Sequence, residues 1–199
     1  MRISELSRQG GAPVATIKFY LREGLLPPGE PTARNQADYS DVHVARVRLI
    51  RTLTSVGQLS LSAIREVLAA VDAAEPHVRD LSVVLNRAMF TDQVAANDIP
   101  GGDSARRHVD KFLEGLGWQV QTDSPGRQTL AHALAALRYL GWDVDAEVFL
   151  PYAAAAQTLA RQEHAALPDE AAANVARSVL LGVALTALRQ LAREDAAAS

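Results

Sequence analysis

Hydrophobic and polar positions alternate with helical period along most of this chain. Ile3 and Leu6 mark a short first helix, and Gly10-Gly11-Ala12-Pro13 reads as a turn. Val14, Ile17 and Leu21 recur at three and four, which predicts a second short helix over 14–23 with Pro13 in its first turn. Residues 27–39 hold three prolines and a glycine among polar residues, which predicts a loop or small β wing. Asp41 opens a long helix with Val44, Val47, Leu49, Ile50, Leu53 and Val56 on its buried side. Arg46, Arg48 and Arg51 lie on its other sides, and Gly57 ends it. Ser60 is placed as the N-cap of a further helix, with Leu61, Ile64, Val67, Leu68 and Val71 as its apolar face.

The chain breaks around Glu75-Pro76. A helix over 77–96 then carries Val78, Leu81, Val84, Leu85, Ala88 and Met89, and Asn97–Gly102 reads as a linker. Four helices follow, near 103–116, 124–140, 145–165 and 169–194. Pro151 predicts a kink or a late start in the third. The last is rich in Ala, Val and Leu, which predicts burial on more than one side, against its own domain or a second subunit. Leu113–Val120 and Leu137–Val144 echo one another as helices ended by a Gly C-cap and followed by a hydrophobic anchor. The fold class is mainly α. A winged helix-turn-helix domain (1–72) is followed by a linking helix (73–98) and an all-helical C-terminal bundle (99–199).

Composition narrows the function. The chain has 199 residues, is 48% hydrophobic and contains no cysteine. It can supply a core, and disulfides and thiolate metal sites are excluded. No apolar run reads as a membrane span, and Met1–Glu5 lacks the apolar core of a signal peptide, so a cytoplasmic protein with no membrane partner is expected. The net charge of −3 divides unevenly, with residues 1–71 at +3 and the remainder at −6. The five histidines show no close ligand spacing and no catalytic constellation stands out, so neither a metal, a cofactor nor an active site is expected.

Two short helices joined by a Gly-containing turn make a helix-turn-helix, which presents its second helix to the DNA major groove. Thr16, Lys18 and Arg22 project from the sides of that helix not used by its apolar stripe. Tyr20 can either cap the core or touch a phosphate. The order helix, turn, helix, Pro-rich wing, Arg-rich helix, helix resembles the MerR family of transcription regulators. The resemblance rests on Ile3–Leu6, Thr16–Leu26, Tyr39-Ser40, Val47–Arg51 and Gly57–Leu68.

That resemblance implies a homodimer on a pseudo-palindromic promoter, paired through an antiparallel coiled coil that follows the DNA-binding domain. It also implies bending and untwisting of the promoter spacer so that RNA polymerase engages, and an effector sensed by the C-terminal part. The DNA-binding set is then Pro13, Ala15, Thr16, Lys18, Phe19, Tyr20, Arg22, Arg34, Asn35, Tyr39 and Arg46. Dimerisation falls to Val78, Leu81, Leu85 and Met89. Several positions depart from the family pattern. Lys18-Phe19-Tyr20 stands where the family commonly has Arg-Tyr-Tyr, so the bidentate fork for guanine and one hydroxyl are lost. Ala37 and Asp38 precede Tyr39, which leaves the wing's phosphate role to Arg34.

The C-terminal aromatics have two readings. Phe112, Trp118, Tyr139, Trp142, Phe149 and Tyr152 can be core. Alternatively Trp118, Tyr139, Trp142, Phe149 and Tyr152 form a pocket for an apolar small-molecule effector. Two rival functions stay open: a ligand-independent architectural DNA-binding protein, and an enzyme or scaffold addressed to DNA by its N-terminal domain.

Overall fold

A computed structural model describes residues 1–33, 36–73, 78–94, 100–165 and 170–198. In chain order the elements are α1 (Ile3–Gly10), α2 (Val14–Arg22), β1 (Glu30–Ala33), β2 (Gln36–Asp38), α3 (Asp41–Ser55), α4 (Leu61–Val71), α5 (Val78–Val94), α6 (Gly102–Gly115), α7 (Pro125–Tyr139), α8 (Leu150–Ala165) and α9 (Ala171–Ala198). A 3-10 turn, Ala146–Phe149, precedes α8. The fold is mainly helical with one small sheet. It divides into a unit formed by 1–81 with 169–199 and a unit formed by 82–168.

In the first unit α1, α2, α3 and α4 surround a core in which Leu6, Ile17, Leu25, Leu26, Val47, Ile50, Leu53, Ile64 and Val67 are almost fully buried. Gly11 ends α1 in the left-handed region at φ 67°, which costs glycine little and lets the chain turn into α2. A Cβ on Gly10 would lie 2.8 Å from Val47 Cγ1, so glycine there lets α1 approach α3 closely. The strands β1 and β2 are antiparallel, with Glu30 opposite Asp38, Pro31 opposite Ala37, and an irregularity between Pro31 and Ala33. The start of the chain is tied to the end of this wing. The Met1 ammonium donates to the Tyr39 carbonyl at 2.7 Å, and Tyr39 N donates to the Met1 carbonyl at 2.8 Å.

The last helix belongs to this unit, not to the C-terminal bundle in which a boundary at residue 99 would place it. α9 packs on α3 and α4 through Val175 and Val179. Burial on more than one side is not found: only Asn174, Val175 and Val179 are buried along its 28 residues. Its middle and end are exposed, and by length and composition it could cross a membrane, contrary to the expectation of no such run. Two smaller assignments also change. Val56 and Leu61 are exposed, because α3 has ended before Val56 and Leu61 lies at the first position of α4. On α2 the buried pair is Ile17 and Tyr20, while Val14 and Leu21 are half-buried.

The second unit is built on the α6–α7 pair. Ala105, Val109, Leu113, Ala131, Leu134, Ala135 and Ala146 form its core. Arg127 of α7 pairs with Asp110 of α6 at 2.8 Å. The sequence echo is a backbone echo. In both copies a left-handed glycine, Gly117 or Gly141, is followed by a tryptophan whose N–H reaches back five residues, Trp118 to the Leu113 carbonyl and Trp142 to that of Leu137. Pro151 is the second residue of α8, so the late start is what the chain adopts.

Candidate nucleic-acid interface

The second helix of the helix-turn-helix is held from beneath and open above. Ile17 and Tyr20 are its buried residues. Positions 15, 18, 19 and 22 share one helix face. On that face Ala15, Lys18 and Arg22 are exposed and Phe19 is half-buried. Pro13 is exposed at the N-cap, and Thr16 is half-buried beside the face. The Arg22 guanidinium sits 5.6 Å from the Phe19 ring centroid, within cation–π range, so Phe19 supports the extended arginine. Its approach to Glu23 is 4.0 Å, at the limit of an ion pair. Lys18 makes no ion pair among the described residues.

The other described cations of residues 1–71 are engaged inside the unit. Arg2 donates to Thr32 Oγ1 at 3.0 Å and approaches Asp38 at 3.8 Å, joining the N-terminus to the wing. Arg8 and Gln9 donate to the Glu5 carboxylate, and these bonds, Arg8's first, hold its pKa down at about 2. Arg48 donates to the Gln9 carbonyl at 3.0 Å and Arg51 to the Gly10 carbonyl at 3.2 Å. Both cations therefore sit at the C-terminus of α1, where the helix dipole favours positive charge. Arg65 reaches Glu23 at 3.4 Å. The other described cations thus have partners within the unit while most stay exposed, and the charge displayed on α2 is that of Lys18 and Arg22.

Three expected DNA contacts have internal roles. Arg46 is only 12% exposed: its Nε donates to the Leu25 carbonyl at 3.0 Å and its fork grips both Asp72 oxygens, Nη1 at 2.7 Å. It ties the turn after α2 to the end of α4. Tyr20 is 6% exposed, and burial, partly offset by nearby Arg51, raises its phenol pKa, as expected of a core tyrosine. Tyr39 is buried with its ring edge-on to His43 at 5.3 Å. His43 in turn accepts at Nδ1 from Ser40 N at 3.1 Å, closing a capping box at the start of α3. Arg34 and Asn35 lie outside the described residues.

The C-terminal candidates do not come together. Trp118 and Phe149 pack against the core of the second unit, Phe149 edge-on to Phe112 at 6.5 Å. Tyr139, Trp142 and Tyr152 are exposed, so the five aromatics line no common pocket. A cleft of about 540 Å³ that sequence reading missed lies beside His108, Lys111, Phe112, Leu116, Asp145, Glu147 and Leu150. Its polar residues are scattered over two segments, so no local motif announces it. Of the residues assigned to dimerisation, Leu81 and Leu85 are buried within the chain and Met89 is half-buried. The Val78 side chain lies outside the described residues.

Comparison with known proteins agrees with the geometry of the first unit. Residues 1–71 match the family described as MerR HTH family regulatory protein. An HTH-type transcriptional regulator, a ZntR homolog from Haemophilus influenzae, is 30% identical over 87 residues, 44% of this chain and 64% of that protein. A mercuric resistance operon regulatory protein from Bacillus cereus is 35% identical over 80 residues, 40% of this chain and 60% of that protein. The match thus spans less than two thirds of either relative. A crystal structure from Streptomyces coelicolor A3(2), described as a candidate transcriptional regulator, superposes with a TM-score of 0.70 at 37% identity, covering 100% of this chain and 96% of that one. The relatives are regulators and not enzymes. On the winged helix-turn-helix geometry and these likenesses, residues 1–71 form a MerR-family helix-turn-helix domain, and the whole chain is similar to a candidate transcriptional regulator.

Proposed function

We propose that the chain acts in the cytoplasm as a homodimer on a pseudo-palindromic promoter, reading it with α2 and steadying it with the wing. The observation that carries this is the partition of cations: Lys18 and Arg22 stand on one open helix face, while Arg46 is largely buried and Arg48, Arg51 and Arg65, though exposed, are held by hydrogen bonds to Gln9, Gly10 and Glu23. Arg34 and Asn35 are assigned to the phosphates beside α2. Bending of the promoter by the dimer then brings it into register for RNA polymerase.

The test is operator binding as a function of salt. Lys18→Ala should lower the salt slope by about one unit if it neutralises one phosphate. Arg22→Ala should weaken binding by about 1–3 kcal/mol and relax preference at one base pair if it reads a base. Unchanged affinity and slope in both folded variants would defeat the reading. Arg34→Ala should reduce the slope without changing base preference.

The second unit is assigned the effector. The dispersed aromatics do not favour a purely apolar pocket. The cleft beside Phe112, Leu116 and Leu150 carries His108, Lys111, Asp145 and Glu147 at its edge, which suits a small amphipathic molecule with a polar or charged group. Lys111→Glu should alter the response of promoter binding to such a compound and leave basal DNA affinity intact. The same compound acting equally on both proteins would remove this assignment and favour the ligand-independent architectural alternative.

A further inference from the structure

The open face of α2 carries two rows side by side. At about 100° per residue, Ala15, Lys18, Phe19 and Arg22 fall within one sector of the helix, opposite the buried pair Ile17 and Tyr20. Within that sector the steps of four separate two chemistries. Lys18 and Arg22 make a cationic row, and Ala15 and Phe19 make an apolar row beside it. Ala15 is exposed and Phe19 is half-buried, so the apolar row keeps surface outward. The two rows touch where the Arg22 guanidinium stands 5.6 Å from the Phe19 ring centroid. The Glu23 carboxylate, 4.0 Å from Arg22, is shared with Arg65 of α4 at 3.4 Å, and the Arg22 side chain stays 71% exposed.

We propose that the apolar row, through Phe19, reads the C5-methyl of a thymine one base-pair step from the pair addressed by Arg22; the inference rests on α2 as the proposed DNA reader and names what it recognises. The edges of the bases in the major groove are hydrogen-bonding atoms, with the thymine methyl as the apolar exception. A phenyl ring and an alanine methyl neither donate nor accept. A phosphate or a base amide set against them would lose water without gaining a bond. A thymine methyl loses no bond there and buries apolar surface. The spacing suits neighbouring base pairs. Phe19 and Arg22 are three residues apart, about 4.5 Å along the helix, and stacked bases of one strand are about 3.4 Å apart. The ring therefore holds the guanidinium extended and at the same time fills the space beside it. A hydroxyl on this ring would bring a polar atom to the contact, and phenylalanine keeps it apolar.

The test uses the duplex that the full-length chain selects from a random library, with each thymine replaced singly by deoxyuridine, which removes only the C5-methyl. At one thymine of a half-site the wild type should lose about fourfold in affinity, the worth of one buried CH2 group. That thymine should adjoin the base pair whose preference Arg22→Ala relaxes. Phe19→Ala, compared where it is folded, should bind the thymine and uracil duplexes alike. Phe19→Leu keeps an apolar side chain without the ring, so it should still prefer thymine. Wild-type binding that ignores the methyl at every position, yet weakens in Arg22→Ala, would overturn the inference and leave α2 as the reader. Phe19→Ala that still prefers thymine would assign the methyl to another residue and overturn it as well. A methyl-sensitive thymine more than one step from the pair relaxed by Arg22→Ala, or no such pair, would overturn the register. Unchanged binding in both Lys18→Ala and Arg22→Ala would overturn the reading by α2 and this inference with it.

Discussion

Gly57 and Val179 fix where the last helix lies. A Cβ built on Gly57 would fall 2.6 Å from Val179 Cγ1 and 2.8 Å from the Leu53 carbonyl oxygen. The end of α3 can thus accept α9 only because residue 57 has no side chain. Gly57→Ala should destabilise the first unit by about 1–3 kcal/mol, the usual cost of overpacking. Val179→Ala should relieve part of that cost, so the double variant should be less destabilised than the sum of the singles. The check is urea unfolding of all four proteins. Strict additivity would mean that the two residues do not press on one another.

Arg46 offers a way to separate scaffold from contact. Its guanidinium joins the Leu25 carbonyl to the Asp72 carboxylate. Arg46→Ala should cost about 1–2 kcal/mol, chiefly from the carbonyl bond and the packing of a partly buried group, because the Asp72 end is exposed to water. Arg46→Lys should recover little, since an ammonium cannot reproduce the fork. The salt slope of operator binding, measured where both variants are folded, should equal that of the wild type. A slope lower by one unit would return Arg46 to the DNA surface.

The reader was legible because its signals are local. Pro13, Ser60 and the stripe of α3 act within a few residues of where they stand: Ser60 caps α4 and Val44–Leu53 of the stripe are buried as spaced, while Pro13 stands one step early, at the N-cap of α2, and Val56 falls past the end of α3. Tyr20 and Arg46 were harder, because tyrosine and arginine suit both a core edge and a phosphate. Only long-range partners such as Arg51, Leu25 and Asp72 decide between them. The same is true of α9. Its composition fits a helix buried all round, and nothing local states that Val179 returns to Gly57, more than a hundred residues earlier. The aromatic cluster misled for the converse reason: Tyr139 and Trp142 are neighbours in sequence, but they sit at a helix end that faces solvent.

Acid should loosen the start of the chain. The bonds from Arg8 and Gln9 lower the Glu5 pKa from 4.5 to about 2, so in that interval the unfolded chain binds more protons than the folded one. The contribution of Glu5 is therefore complete above about 4.5 and is lost as pH falls toward 2. Glu5→Gln should flatten this part of the stability-against-pH curve, measured by chemical unfolding at a series of pH values. Parallel curves for the two proteins would show that the Arg8–Glu5 pair adds nothing to the folded state.

The cap of α7 is supplied from another helix, and this gives a prediction with a sign. Ser124, at the N-cap, makes no side-chain bond to its own helix. Instead Asn86 Oδ1 of α5 accepts from Gly126 N at 3.0 Å and from Ser124 Oγ at 3.2 Å. Pro125 at the first helical position has no N–H to offer, so the Asn86 carbonyl meets the first available backbone donor. Asn86→Ala should destabilise the second unit by about 0.5–2 kcal/mol, as loss of a capping acceptor does. Asn86→Asp keeps the acceptor and adds negative charge at the positive end of the helix dipole. It should therefore match or exceed the wild type at neutral pH and fall below it once the new carboxylate is protonated. Thermal unfolding at neutral and acid pH distinguishes these outcomes. An Asn86→Asp protein as unstable at neutral pH as Asn86→Ala would show that the bond depends on the amide NH2 and not on the oxygen facing α7.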